Sequence, residues 1–295
     1  MKSELLNIIK ERYPDSDNKY LAVELGISIS TLKKIASQHK IRKSPEYWQR
    51  QHQDLLRAKE EKYLAAIPAI RLTEEEKAIL VGSILGDGTL SYAPRSRNAY
   101  YREHFGEAQR DYREWKQKKL QRLGFRITRD NHLRGPSHPV FSQLYTAFFK
   151  DGQKIITTHN LKLFTSPLAL ACLFFDDGTL VINYSRNGNK IYLIPRITLY
   201  TMSFTREENL LLARHIEETF KLRFNLKKVP YGKGWCLDTG KIPDVYHMIE
   251  MIKPFGLEIA SMKVKVSLMH LLAAKEAQLY RELGDHIIVK WPALA

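Results

Sequence analysis

Cysteine is almost absent: Cys172 and Cys236 are the whole complement of a 295-residue chain. Two cysteines flanked by apolar residues exclude a disulfide scaffold and a cysteine-built zinc site, and they fit a reducing compartment. No run of 18 apolar residues occurs, so no membrane span is expected. The opening MKSELLNIIKERYPD turns charged too soon for a secretory signal. No glycine-rich phosphate loop is present, which argues against nucleotide hydrolysis. His104, His132, His138 and His159 lack zinc-ligand spacing and no HExxH occurs, so these histidines read as polar surface or loop. Acidic residues are in deficit as well: 32 Asp and Glu face 47 Lys and Arg, a net charge of +15. That excess favours a polyanionic partner, nucleic acid before membrane.

Hydrophobic residues make up 44%, enough for a folded core, and the length suggests about two domains. Residues 1–72 hold 14 basic and 9 acidic residues; the remainder holds 33 and 23. The basic excess is therefore spread over both parts. The first part reads as helical throughout. In KYLAVELGISISTLKKIASQHKI (19–41), Leu21, Ala22 and Leu25 form one apolar face. Gly26 suits a sharp turn, Ser28 caps the next helix, and Leu32 and Ile35 point inward. This resembles a helix-turn-helix over residues 1–44, with Ser30, Thr31, Lys33, Lys34, Ser37 and Gln38 presented outward to DNA. Residues 45–72 read as a helical linker, broken at Pro68.

From residue 73 the pattern changes and then repeats. Thr73 and Glu76 form a capping box that opens an apolar run from Ala78 to Leu85. Strands are expected at 88–93, 99–108 and 125–135, and helices at 110–123 and 139–150. After Pro167 the order recurs: a helix, strands at 178–185 and 190–203, a helix at 206–220, strands at 222–229 and 234–239, and a helix at 242–252. This is an internal duplication, 73–165 and 166–268. A last helix and tail occupy 269–295.

Each repeat begins with a related segment, LVGSILGDGTL (80–90) and LACLFFDDGTL (170–180). Gly82, Ser83 and Gly86 facing Ala169, Ala171 and Cys172 would let two helix backbones pack closely. Asp87 and Asp177 would then lie side by side at the end of the seam. Carboxylates that near repel unless a cation neutralises them, and a hard divalent ion prefers such oxygens together with water and phosphate. Metal ions held there would activate water and stabilise leaving oxygens in phosphodiester hydrolysis. One Asp-Gly alone is an ordinary turn signal; two at the head of matched repeats in a basic chain are not.

The pair resembles the two core helices of the LAGLIDADG homing endonucleases in their single-chain form. The resemblance spans residues 74 to about 268 and is closest to the mitochondrial-intron branch, through RGPSHPVFSQLYTAFFKDGQKII (134–156), SPLALACLFFDDG (166–178), LYTMSFTREE (199–208) and IKPFGLEIASMKVKV (252–266). It implies an α+β fold: tandem pseudo-twofold αββαββα repeats forming a saddle across duplex DNA, here preceded by a small all-α domain. Asp87 and Asp177 fall on the family's metal-binding acids. Gly86 and Asp176, just before them, complete the expected metal set, with Mg²⁺ as the ion and Mn²⁺ or Ca²⁺ as substitutes. By alignment Lys154 and Lys265 are the basic partners that act on the scissile phosphate or the metal-bound water, with Gln153 and Lys263 as nearby substitutes. Leu85 and Phe175 replace the namesake motif's first Asp, and Cys172 replaces a packing glycine, a change expected to widen the helix contact.

The resemblance further implies a monomer that cuts one strand with each acid and leaves short 3′ overhangs. Expected readers of DNA on the strands and their loops are Arg95, Arg97, Tyr101, Arg126, Arg129, Arg134, Arg186, Lys190, Arg196, Lys227 and Lys233, because a β-ribbon fits the major groove and basic side chains pair with phosphates. The expected location is the cytoplasm or nucleoid of a prokaryote, with an organelle as the alternative. Intron RNA is a second expected partner, and an RNA maturase or a non-cleaving DNA-binding regulator is the competing function.

Overall fold

The computed structural model describes residues 2–232 and 234–293 and divides into two compact units, Met1–Ala69 and Ile70–Ala295. Lys233 lies outside the described residues.

In the first unit, α1 (Lys2–Arg12), α2 (Asn18–Glu24) and α3 (Ile29–Gln38) enclose a small core of Ile9, Leu21, Ala22 and Leu32. Asp17 and Ser28 cap α2 and α3, each accepting from a backbone N–H of the first turn. Gly26, at φ +63°, makes the turn between them, where a side chain would be strained. Leu25 and Ile35, expected inside, are half-buried, and Ala36 is buried instead. The outward set Ser30, Thr31, Lys33, Lys34, Ser37 and Gln38 is exposed. A long helix, α4 (Pro45–Ala65), starts at the cap Ser44 with Pro45 at the first position.

The second unit is an α+β core. It opens with α5 (Glu74–Leu85), β1 (Thr89–Tyr92), β2 (Ala99–His104), α6 (Arg110–Lys119), β3 (Arg126–Ile127), β4 (His132–Ser137) and α7 (Pro139–Phe148). A small hairpin of β5 (Phe149–Lys150) and β6 (Gln153–Lys154) and a short α8 (Thr158–Leu161) lead to the second half. That half comprises α9 (Pro167–Asp177), β7 (Gly178–Asn187), β8 (Lys190–Leu199), α10 (Arg206–Phe220), β9 (Asn225–Lys228), β10 (Trp235–Thr239) and α11 (Ile242–Leu257). The chain closes with α12 (Lys263–Val266), α13 (Leu268–Leu283) and β11 (Ile288–Lys290). The sheets have matching orders, β1-β2-β4-β3 and β7-β8-β10-β9, antiparallel along these paths.

The two motif helices form the centre. Every residue of α5 from Ala78 to Leu85 and of α9 from Leu168 to Phe175 is buried, as helices apolar all round must be. Capping boxes start three helices: Thr73 with Glu76, Thr157 with Asn160, and Thr205 with Glu208.

Two departures from the sequence expectation add strands to the fold. The helix expected to reach residue 150 stops at Phe148, because Asp151 and Gly152 take φ of 51° and 78° and turn the β5–β6 hairpin. The tail expected at the end of 269–295 contains β11, which pairs in parallel with the start of β8. No helix is long and apolar enough to cross a membrane among the described residues.

Candidate functional site

The seam between α5 and α9 is as close as helices allow. A Cβ placed on Gly82 would lie 2.2 Å from the Ala169 carbonyl oxygen and 2.8 Å from Cys172 Cβ. The widening expected from Cys172 is therefore not found: its small side chain fits against bare Gly82. At the seam's end Gly86 faces the Asp176 side chain, whose Cβ would be 2.6 Å from an added Cβ. The backbone N–H of Asp87 donates to Asp176 Oδ2 across 3.4 Å. Gly88 passes over the Tyr101 hydroxyl, which a Cβ there would meet at 2.3 Å.

This packing gathers the expected site residues into one electrostatic neighbourhood. The Asp177 carboxyl is pushed up to about 7, first by burial, then by the charges of Asp87 and Asp176. Lys154 and Lys265 flank the acids. Lys154, projected by the β5–β6 hairpin, donates to the Gly86 carbonyl, and Lys265 on α12 donates to the Phe175 carbonyl across 2.7 Å. Each lysine thus occupies a carbonyl near the end of one motif helix. Burial lowers both ammonium groups, and the nearby carboxylates oppose that shift. Gln153 and Lys263 are exposed.

Asp176 departs from its expected role. Its side chain is fully buried and its carboxylate is held by Lys116 at 3.0 Å, leaving it no free edge for the cleft. Burial raises its carboxyl and the Lys116 charge opposes this. Asp87, Glu103 and Asp176 each place an oxygen within 4.8 Å of the others. Yet Lys116 and Arg113 lie among them, so ammonium and guanidinium groups neutralise Glu103 and Asp176. The carboxylates open to solvent are Asp87, whose side chain is 34% exposed, and Asp177, which is half-buried. Two carboxylates beside half-buried lysines form a hard-oxygen donor set that fits Mg²⁺.

The reading surfaces follow strand parity. On the first sheet Tyr100, Arg102 and His104 alternate with buried Ala99, Tyr101 and Glu103. Register places Arg102 opposite Arg134, His104 opposite His132, and Arg126 opposite Arg134. Arg134 lies over the Tyr100 ring, 4.6 Å from its centroid. Tyr101 was expected on this face and is instead a core residue, 1% exposed: a one-residue change of phase moves a strand side chain to the opposite side. Arg95, Arg97, Arg126, Arg129, Arg134, Lys190 and Lys227 are exposed. On the second sheet Lys190, Tyr192, Arg196 and Thr198 share the face that also holds Asn183, Ser185 and Asn187. Arg186 belongs to the opposite set with Tyr184, whose ring lies 5.4 Å from Lys275 of α13. Arg196 is anchored: its Nε lies 2.6 Å from Asp238 Oδ1, and Thr198 donates to the same carboxylate at 2.8 Å.

The sequence reading missed Glu103, Arg113, Lys116 and Asp238. RDYREWKQKK looks like a solvated helix, and the available signal was Tyr112 beside two charges at i,i+3 spacing.

With this geometry in place, comparison with known proteins identifies the class. The profile of the LAGLIDADG DNA endonuclease family matches residues 77–239, more than half of the chain, and the chain belongs to that family. Among solved structures, the homing endonuclease I-WcaI bound to its DNA recognition sequence superposes with a TM-score of 0.55 at 20% identity, over 70% of this chain and 91% of that one. Among curated proteins, Protein RecA of Mycobacterium shimoidei is 33% identical over 130 residues, 41% of this chain and 30% of the relative. Intron-encoded endonuclease ai4 of Dictyostelium discoideum is 27% identical over 115 residues, 39% and 64% respectively. The chain thus spans about a third of the RecA relative and under two thirds of the intron-encoded one.

Proposed function

We propose that this chain is a site-specific endonuclease that cuts both strands of duplex DNA with divalent metal at Asp87 and Asp177. The observation that carries the reading is the convergence of both duplicated motif helices on one seam, with an acid and a lysine from each half. The acids, two flanking lysines, Arg113, Lys116, Glu103 and Asp176 balance formally at four charges of each sign. A divalent cation and a phosphate can therefore enter without leaving a large unpaired charge in a partly buried place.

Asp87 and Asp177 bind and orient. A Mg²⁺ ion held there supplies an activated water and charge stabilisation at the phosphate. Lys154 and Lys265, near the acids, would stabilise negative charge developing on phosphate oxygens, and their lowered ammonium groups suit them to exchange protons with an attacking water. The two sheet faces carry the base and phosphate contacts. Arg196, held by Asp238 through Nε and Nη2, turns Nη1 toward a base edge or a phosphate. The exposed face of α3, with Lys33 and Lys34, adds DNA contacts from the first unit.

The test is incubation with a library of random duplexes and Mg²⁺, followed by sequencing of the ends. Recurrent paired cuts at one motif are expected. Binding with no cut at any sequence would replace this reading by that of a regulator or an RNA-binding relative.

A further inference from the structure

The fully buried basic pair beneath the seam comes from the first half of the core. Helix α6 turns Arg113 and Lys116 inward, one helical turn apart, and both are fully buried. Lys116 Nζ lies 3.0 Å from Glu103 Oε2 and 3.0 Å and 3.2 Å from the two oxygens of Asp176. Arg113 Nη2 donates to Asp87 Oδ2 at 2.6 Å and lies 3.7 Å from Asp176 Oδ1, while its Nε is 3.4 Å from Glu103. The guanidinium also covers the buried Tyr112 ring, 4.8 Å from its centroid. The duplicated helix α10 buries Asn209, Leu212, Ile216 and Phe220 in the corresponding place. Its arginines Arg206 and Arg214 are exposed.

We propose that Arg113 is a positioning residue for Asp87 and that the two half-sites are therefore unequal. Arg113 grips one oxygen of Asp87 from the protein interior and leaves the other to the cleft. Asp87 would meet a metal already oriented, whereas Asp177 has lysines beside it and, among the described residues, no guanidinium paired with it. A rigid guanidinium ion-paired with Glu103 at 3.4 Å, with Lys116 tying Glu103 to Asp176, suits this task better than a flexible ammonium. Orientation secured in advance lowers the cost of reaching the reacting geometry. The strand served by Asp87 is then cut first, and at lower divalent concentration, so a nicked duplex accumulates before the double-strand break. This rests on the nuclease reading above.

The experiment uses the full chain on a plasmid carrying the selected site, with the two strands labelled differently. Asp87→Asn identifies the strand that Asp87 serves. The wild type should cut that strand first. Arg113→Gln should slow it about a hundredfold, the scale of a misplaced reacting group, and slow the other strand less than about threefold. Arg113→Lys should recover part of the loss. Without DNA, Ca²⁺ titration by calorimetry should show Arg113→Gln weakening the site that Asp87→Asn removes and sparing the one that Asp177→Asn removes. Equal slowing of both strands, or uniform weakening of Ca²⁺, would assign Arg113 to folding alone and overturn the proposal. If Arg113→Gln does not fold, the strand ratio of Arg113→Lys decides. If the wild type cuts no duplex, the nuclease reading fails, and the Ca²⁺ titration still judges Arg113.

Discussion

Gly82→Ala sets two known effects against each other, and the seam decides the sign. Gly82 sits in the middle of a helix, where alanine is intrinsically better by about 1 kcal/mol. On an open helix the substitution would stabilise. Here the new Cβ would stand 2.2 Å from the Ala169 carbonyl oxygen, 2.9 Å from its carbon and 2.8 Å from Cys172 Cβ. Two of these atoms are backbone of α9 and cannot rotate away. Reaching ordinary contact requires the helices to part by about 1 Å in a close-packed interior. Overpacking costs about 1–3 kcal/mol; against fixed backbone the upper part of that range applies, about 2–3 kcal/mol, so net of the helix gain the variant should be less stable by about 1–2 kcal/mol. For a unit of this size that lowers Tm by roughly 2–8 °C. The same separation moves Asp87 away from Asp177, so cleavage should fall by about a hundredfold. Thermal unfolding and strand cleavage measure the two consequences. Gly106→Ala is the control, since nothing lies within 4 Å of its added Cβ; it should change stability by less than about 0.5 kcal/mol. A Gly82→Ala protein as stable as the wild type would refute the close seam.

Asp87→Asn and Asp177→Asn should each abolish double-strand cleavage while gel-shift affinity for the site stays within a few-fold; either variant cutting both strands removes the metal assignment. Asp177 is raised to about 7 from an ordinary 3.8, so its contribution to stability is full below about pH 4 and is lost as pH rises through 7. Metal-free protein should therefore lose stability from pH 5 to 8, on the order of 2 kcal/mol, and Asp177→Asn should flatten that slope in denaturant titrations. Deleting residues 1–69 should leave a folded, cutting protein, because each unit has its own core; a shallower dependence of affinity on salt would report the lost phosphate contacts. Asp238→Ala should blur base preference at one position of the cleavage site by about 1 kcal/mol or more, read by sequencing cut products from a randomised library.

Much of this arrangement is legible because it is written twice. Asp87 and Asp177 stand out through their matched contexts, and small residues at Gly82 and Ala169 announce a close helix contact before any coordinates. Lys154 and Lys265 follow from the resemblance and do fall beside the acids. What stays hidden depends on partners distant in sequence. Tyr101 and Arg102 are adjacent polar-capable residues, and only the pairing of β2 with its neighbours tells which one faces outward. Arg113 and Lys116 look solvated because burial of a charge is decided by Glu103 and Asp176, 10 and 60 or more residues away. The Asp151–Gly152 hairpin is signalled by its own dipeptide, but the helical pattern before it runs on through Phe149 and Lys150, which form the hairpin's first strand.

The final strand carries a consequence for biosynthesis. β11 pairs with residues 190–192 of β8, nearly a hundred positions earlier. Until residue 290 clears the ribosome, that stretch of β8 has one unpaired edge, the kind of edge that recruits other chains. This part of the β8 edge is therefore covered only after residues 288–290 are made, and a nascent chain stalled before them leaves it open to pairing with another chain.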